Sequence, residues 1–355
     1  MKKTLLSCML LAATTAFSQT QISDYKPGIT TEGAVYYLPK TAIRVAMKIE
    51  KTTYTPGEFC KYAERYLRQK DVRQNAAVSH RVIDCCVMPY GVADKSKAYA
   101  VKFNARSAAA NLSLADDGRL LSVNAAPTAE PVFKPFMASP KPQPVNPRDY
   151  MSQEILAAGS TPKMAELTAR EIYDIRDSKN ALNRGEADFM PKDGEQLRIM
   201  LDNLNTQDRT LSSLFVGTEC KDTTEVVFTL CPEMEVNRQV LFRLSKQLGV
   251  VDADDLSGSP YYINIKDLKT VPDAGPDDGK KKKEREDGIY VNVPGKILVE
   301  ILNGSNTIAD AEFSAGQFGR VELLSGDLFN KRFTTHLWLN PITGSVEKLE
   351  AEQPK

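Results

Sequence analysis

Apolar and polar side chains alternate one by one in short runs at both ends of this chain, and this alternation restricts its fold more than any other feature. The clearest run covers residues 34–54, where one side of an extended chain is apolar and the other is mostly charged. A period of two residues is typical of a β-strand with one buried face. The apolar side includes Ile43, Val45, Met47 and Ile49, and the opposite side includes Arg44, Lys48 and Glu50.

Strand-like runs recur along the chain with turn residues between them, such as Asp116-Asp117-Gly118. Many short strands of this kind predict a sandwich or a barrel-like core. One short helix is predicted after Thr55-Pro56-Gly57-Glu58, where Phe59, Tyr62 and Tyr66 follow helical spacing. The further strand-like runs are residues 80–88, 98–103, 111–114, 119–124, 223–230, 239–244, 261–265, 289–293, 297–302, 321–324 and 335–339.

The middle of the chain has a different pattern. Residues 127–147 contain seven prolines, which excludes a helix or a central strand and predicts an extended connector. Thr161-Pro162 then begins a helix that Asn183-Arg184-Gly185 ends. A second helix, at about residues 194–215, has Leu197, Leu204 and Leu211 seven residues apart. This spacing predicts an antiparallel helical hairpin with a coiled-coil-like seam, and Asp208 falls on that seam as a candidate boundary.

These patterns together predict an α+β fold, with two β-rich domains joined by a proline-rich connector and an antiparallel helical hairpin. The expected segments are a signal peptide (1–18), a flexible lead (19–32), an N-terminal β-rich domain with one short helix (33–126), the connector (127–147), the helical hairpin (148–216) and a C-terminal β sandwich or barrel-like domain (217–355). The chain is long enough for two cores.

The N-terminus carries an export signal. Lys2 and Lys3 precede an apolar stretch at residues 5–13, and Ala16-Phe17-Ser18 is a small-x-small exit. This layout predicts cleavage between Ser18 and Gln19 and export to the periplasm or cell envelope. A lipoprotein box ending at Cys8 is the alternative, but too few apolar residues precede it. No transmembrane segment is expected in the mature chain, because no other run approaches 20 apolar residues.

The charge balance limits the classes of partner that the chain is expected to bind. The chain has 46 basic and 46 acidic residues, and removal of Lys2 and Lys3 with the signal leaves 44 basic against 46 acidic. A net charge near −2 argues against a nucleic-acid partner. Residues 273–288 form a charged loop whose lysines could touch anionic lipid or glycan, but flanking acids cancel them, so we expect a solvated loop. No cofactor is indicated.

The mature chain retains an odd number of cysteines, namely Cys60, Cys85, Cys86, Cys220 and Cys231. In an oxidising compartment at least one thiol must therefore stay free or pair with another molecule. Cys220 and Cys231 flank a segment that could turn back on itself, so they are the first choice for a disulfide. The alternative is that all five are small buried apolar groups.

No motif for catalysis, metal binding or cofactor binding is present. The only histidines, His80 and His336, lie in strand-like runs without acidic or Cys partners at metal spacing. Glu186 with Asp188, and the cluster Asp252, Asp254 and Asp255, could supply acid/base carboxylates or calcium ligands, although surface acids are the simpler interpretation. Trp338 could stack on a sugar, or pack in a core or an interface. Asp222-Thr223-Thr224 resembles a short O-glycosylation acceptor pattern, which would place that segment on the surface.

An ordered set of longer motifs resembles one protein family. The motifs are VYYLPKTAIRV at 35–45, YTPGEFCKYAERYL at 54–67, GEADFMPKDGEQLRIML at 185–201, LSSLFVG at 211–217 and QFGRVELLSGDLF at 317–329. They are similar to the uncharacterised DUF4831 family over nearly the whole mature chain. The resemblance implies a secreted envelope protein of Gram-negative anaerobes and assigns no catalytic residue.

The sequence therefore favours a non-enzymatic periplasmic or envelope protein that binds a protein partner or an envelope polymer. The alternative is a secreted, glycan-directed hydrolase that depends on carboxylates, which would need two acids about 5 to 9 Å apart in a concave site. A third hypothesis is a thiol-dependent assembly factor, which would need an accessible free thiol.

Overall fold

The computed structural model describes residues 28–29, 33–102, 111–141, 143, 145–271, 288–329 and 334–352. The predicted signal peptide, its cleavage site at Ser18 and Gln19, most of the lead and nearly all of the charged loop at 273–288 lie outside the described residues.

Helices and antiparallel strands both occur, as the α+β prediction requires. The helices are α1 (Ala63–Leu67), α2 (Gln153–Leu156), α3 (Thr161–Arg184) and α4 (Gly194–Val216). The strands are β1 (Gly28–Ile29), β2 (Gly33–Thr55), β3 (Ala77–Lys102), β4 (Leu112–Leu114), β5 (Leu120–Val123), β6 (Thr218–Leu230), β7 (Val236–Ser245), β8 (Gly249–Val251), β9 (Ser259–Asp267), β10 (Gly288–Asn303), β11 (Asn306–Ser325), β12 (Thr334–Leu339) and β13 (Val346–Glu352). Short 3-10 turns lie at Cys60–Tyr62, Pro147–Tyr150 and Gly326–Phe329.

Three antiparallel sheets contain these strands. In the first sheet β2 is central, with β3 along one edge and with β1 and then β6 along the other. The second sheet has the order β11-β10-β9-β7-β8, and the third has β13-β12-β5-β4. The pairs β2–β6 and β12–β5 join strands that are far apart in sequence. The segments predicted as an N-terminal and a C-terminal β-rich domain therefore contribute to the same sheets.

The first and second sheets pack face to face around the main apolar core. The alternation in β2 predicted this face correctly, since Ile43, Val45 and Met47 are fully buried. Across the core they meet β-branched and aromatic residues of the second sheet, a packing typical of a β-sandwich. The members from the second sheet are Phe242, Leu244, Tyr261, Ile263, Ile265, Ile297, Val299, Ile301 and Ala315.

A second core lies under the third sheet, and the same strand β2 contributes to it. Here the buried residues of β2 are Ala34, Tyr36 and Leu38, which are even-numbered, whereas the main core uses the odd-numbered positions from Ile43 onward. The register irregularity beside this segment puts its extra residues in β3, since Tyr37 pairs with Ala98 and Pro39 with Ala93. Successive side chains of a strand point to opposite faces. β2 therefore contributes its even-numbered face to one core and its odd-numbered face to the other.

Along the edge of β2 between its pairings with β1 and β6, backbone groups form hydrogen bonds with side chains. The Thr41 N–H donates to Gln317 Oε1 and the Thr41 carbonyl accepts from Gln317 Nε2, both at 2.8 Å. Asn292, which is 1% exposed, donates from Nδ2 to the carbonyl oxygens of Pro39 and Thr343 at 2.8 Å. Because an unpaired buried backbone group is costly, these amides take the place of a missing strand.

Between β5 and Pro147, the described residues of the proline-rich connector form no helix or strand. It lies across the outer face of the first sheet. The Phe133 ring is 4.6 Å from the Arg44 guanidinium, the Phe136 ring is 5.5 Å from the Lys48 ammonium, and the Phe136 N–H donates to Glu225. The connector is therefore docked rather than free.

We expect Gln317→Met to lower the free energy of unfolding by about 1–3 kcal/mol, because it leaves the backbone groups of Thr41 without partners. Urea denaturation of the intact chain measures this change. Asp310→Asn is the matched control, since Asp310 is exposed on the same strand β11, and it should change stability by less than about 0.5 kcal/mol. Equal effects of the two substitutions would contradict this account of the β2 edge.

Candidate functional site

The helical hairpin begins and ends where the sequence predicts. Ser160 accepts a hydrogen bond from the Lys163 N–H at the start of α3, and Gly185 follows its end in the left-handed conformation, with φ 72°. Asp193 caps α4 by accepting from the Gln196 N–H at 2.8 Å. These are the usual residues for helix starts and stops. The two helices form an antiparallel pair, each about 35 Å long.

The base of the hairpin is closed by other elements. Ile172 of α3 and Leu211 and Phe215 of α4 are fully buried. They pack with Phe59, which precedes α1, and with Ile155 of α2 in one apolar cluster. Phe59 and Phe215 have ring centroids 5.4 Å apart. This part of the hairpin therefore belongs to a complete core.

Asp208 marks the end of the closed part, as its position on the predicted seam suggested. Its carboxylate accepts hydrogen bonds from Arg176 at 3.1 Å, from Lys179 at 3.3 Å and from Ser212 at 3.0 Å. Partial burial by itself raises the pKa of this carboxyl, but the hydrogen bonds from Arg176 and Ser212 and the positive charge of Arg176 outweigh it, so the pKa lies below its usual range.

Beyond Asp208 the apolar residues of the hairpin are only partly covered. We call residues 178–204 the hairpin tip. Leu182 is buried there, but Leu197, Leu201 and Leu204 of the predicted seam are only half-buried. Two helices alone cover one stripe on each other and leave the rest of each apolar face open. The hairpin tip therefore has an incomplete core.

A cleft of about 510 Å³ opens at this tip. Its walls are mostly apolar, and four polar side chains stand around them. The apolar residues are Ala181, Leu182, Ala187, Phe189, Met200 and Leu204, and the polar ones are Ser178, Glu186, Asp188 and Asn203. Volume and lining of this kind are typical of a binding pocket rather than of a packing defect.

Large apolar side chains stand in solvent around the cleft. Phe189 is 69% exposed, Ile199 is 50% exposed and Met190 is 40% exposed. A single exposed apolar residue is ordinary, but several beside one apolar cleft are typical of an interaction site. The sequence marks Phe189 only by the pair Phe189-Met190, which lies in the polar segment that links two amphipathic helices. This signal is too short to identify a site residue without the structure.

The first predicted acidic pair lies at this cleft. Glu186 and Asp188 both line it, and Glu186 forms an ion pair with Arg184 at 2.8 Å in which both side chains are 63% exposed.

The second predicted acidic cluster, which contains Asp252 and Asp255, lies in a turn. Asp255 Oδ1 accepts from the Ser257 N–H at 2.9 Å, which lowers the pKa of the Asp255 carboxyl, and the Asp255 N–H donates to the Asp252 carbonyl. The Asp255 carboxylate therefore has a local structural role.

The two histidines and Trp338 lie away from the cleft. His80 Nδ1 is 3.2 Å from the Lys246 carbonyl oxygen, and His336 contacts the Asn124 carbonyl. Trp338 is half-buried on the outer face of the third sheet, with the Lys348 ammonium 4.9 Å from the centre of its ring. In the part of the chain that the structure describes, no three His, Cys, Asp or Glu side chains are grouped so that they could hold a metal ion.

The structure places Cys220 and Cys231 at opposite ends of β6, and both are unpaired and exposed. The turn expected between them does not form, because β6 pairs with β2 along its whole length. Eleven extended residues span about 35 Å, whereas a disulfide needs Cα atoms within about 7 Å. A bridge between these two thiols would therefore require β6 to leave the sheet.

The fold and the cleft define a mixed α+β protein in which antiparallel sheets carry a helical hairpin with an open apolar tip. The chain belongs to a family described as a domain of unknown function (DUF4831), whose profile matches residues 32–347. No curated protein and no solved structure matches the chain. Within the described ranges, no helix is long and apolar enough to cross a membrane.

The carboxylate of Asp208 makes the hairpin sensitive to acid. A carboxyl whose pKa is lower in the folded state contributes stability above its unfolded pKa of about 4, and this contribution is lost as the pH falls through the folded pKa. We expect the intact chain to lose more thermal stability between about pH 6 and pH 3 than Asp208→Asn does, by about 2–4 °C if the contribution is about 1 kcal/mol. Circular dichroism at 222 nm measures this. Parallel pH profiles would contradict the assignment.

The thiols should differ in reactivity. Burial raises the pKa of the Cys85 thiol to about 12, whereas Cys86 and Cys220 are exposed. At about pH 8, we expect iodoacetamide to label Cys86 and Cys220 at least about tenfold faster than Cys85. Peptide mass spectrometry of the unreduced chain reads each site. If Cys220 and Cys231 react only after a reductant is added, they are disulfide-bonded and the arrangement of β6 is different.

Proposed function

We propose that this chain is exported to the periplasm or cell envelope and works there as a non-enzymatic binding module that holds a protein partner at the hairpin tip. The single observation that carries the binding role is the open cleft beside the exposed Phe189. The N-terminal charge and apolar pattern supports export.

The chemistry of the cleft favours a protein over an envelope polymer. Its walls come from Leu182, Met200, Leu204 and two alanines, and these offer van der Waals contact to an apolar side chain. A glycan would need several polar groups that converge on its hydroxyls. Here Ser178 and Asn203 are the neutral polar side chains that line the cleft. An aromatic or aliphatic anchor from a protein fits this lining better.

Glu186 and Asp188 both line the cleft, but the surroundings of Glu186 do not favour the alternative of a carboxylate-dependent, glycan-directed hydrolase. A general acid usually lies buried in an apolar site. Glu186 instead lies in solvent and is paired with Arg184, which suits a solubilising or partner-orienting role at the rim of the cleft.

The proposal is tested by replacing Phe189 with a photoreactive phenylalanine analogue and irradiating intact cells. We expect covalent adducts from position 189 but not from position 256, where Leu256 is 83% exposed at a distant turn. Asn203→Trp should reduce the adducts several-fold, because the exposed Asn203 lines the cleft and an indole there fills it. The mass spectrum of the adducts should also show a chain that begins at Gln19. Equal adducts from both positions, or adducts that Asn203→Trp leaves unchanged, would argue against a binding site at the tip.

A further inference from the structure

The cleft and its best-fitting occupant lie on the same surface. Phe189 stands 69% exposed where the cleft opens. Its ring is far smaller than the cleft of about 510 Å³, which already has apolar walls. A surface that carries both a projecting apolar side chain and an apolar cleft is self-complementary, because a two-fold axis brings each projection to the other copy's cleft.

The charges of the loop between α3 and α4 point to the same arrangement. Asp188 and Lys192 have opposite charges and lie on the two sides of Phe189 in sequence. Among the described residues neither forms an ion pair, whereas Arg184 and Glu186 pair with each other. A two-fold axis that passes near residue 190 reverses the order of the loop and places Asp188 of one copy opposite Lys192 of the other. A foreign partner would have to supply both charges separately.

Helix packing adds a third argument. The hairpin tip is a pair of helices whose seam residues Leu197, Leu201 and Leu204 remain half-buried. Two such pairs packed together form a four-helix bundle, in which each helix buries its apolar stripe against two neighbours. A second copy therefore covers the open part of the seam and the cleft at the same time.

We propose that the hairpin tip binds the hairpin tip of a second copy of this chain, with each Phe189 ring in the other copy's cleft. This inference rests on the proposed function, because it names the partner of the same site. The contact involves only the ends of two helical hairpins, and small interfaces are weak. The result is a dimer with a dissociation constant of roughly micromolar order.

Sedimentation equilibrium of the intact chain from about 1 to 200 µM, a range that brackets a micromolar constant, tests the proposal. We expect a monomer–dimer equilibrium. Phe189→Ala should weaken it by about 10- to 30-fold, the effect of removing a central aromatic anchor. Leu256→Ala, which removes an even more exposed apolar side chain far from the tip, should leave it unchanged. A chain that stays monomeric throughout, or a dimer that Phe189→Ala does not weaken, overturns the proposal.

A charge exchange provides a second measurement that leaves the Phe189 ring in place. Asp188→Lys and Lys192→Asp should each weaken the dimer by about 2- to 5-fold, as is usual for an exposed ion pair. The double variant should return toward the original affinity, because the pair is restored with its signs reversed. Additive losses in the double variant overturn the proposed pairing. If the chain is monomeric but position 189 still gives adducts in cells, self-pairing fails while the binding role of the cleft stands.

Discussion

The whole arrangement depends on the edge of β2 between residues 37 and 42. Here the strand has left one core and not yet entered the other. Among the strands that the structure describes, none pairs with this edge between the pairings with β1 and β6. Its backbone groups are completed instead by Gly118, Asn292 and Gln317, each from a different part of the chain. Since buried backbone groups must be paired, β2 can cross between two cores only if those three segments meet it. These hydrogen bonds hold the third sheet, β10 and β11 against the same short segment of β2.

The far end of β2 sets the position of the helices. The Tyr54 hydroxyl lies 2.7 Å from the Arg73 carbonyl oxygen and 2.9 Å from the Val216 carbonyl oxygen, and its one proton is donated between these two acceptors. The Phe59 N–H donates to the Leu214 carbonyl at 2.7 Å. A Cβ at Gly57 would lie 2.2 Å from that same carbonyl oxygen, so this approach requires glycine. Because α4 also runs directly into β6, which pairs with β2, the first sheet holds the C-terminal end of α4 from two sides. The tip therefore projects from a rigid support.

Local patterns predicted much of this fold, and long-range pairing accounts for what they missed. The alternation at Ile43, Val45 and Met47 identified a buried face, and the spacing of Leu197, Leu204 and Leu211 located the second helix with its boundary near Asp208. Residues 80–88 and 98–103 looked like separate strands, but the described part forms one continuous strand, β3, because β2 supports it along its length. Pairing with the long strand β2 also keeps β6 extended, and this separates Cys220 from Cys231. A local reading cannot detect a strand partner that lies more than 150 residues away.

The candidate site was harder to predict, since a site made of exposed apolar groups has no motif. Glu186 and Asp188 were noticed for their charge, yet the feature that distinguishes their surroundings is the exposed Phe189, which lies between two helices that no other described element covers. Asp208 limits the open part of the hairpin to its tip. Its ion pairs with Arg176 and Lys179 close the seam above the buried cluster of Leu211 and Phe215, and they separate the part of the hairpin that holds the fold from the part left open. At the base of the hairpin, packing in the buried cluster restricts which side chains fit. At the tip, the side chains are restricted instead by the partner that binds there.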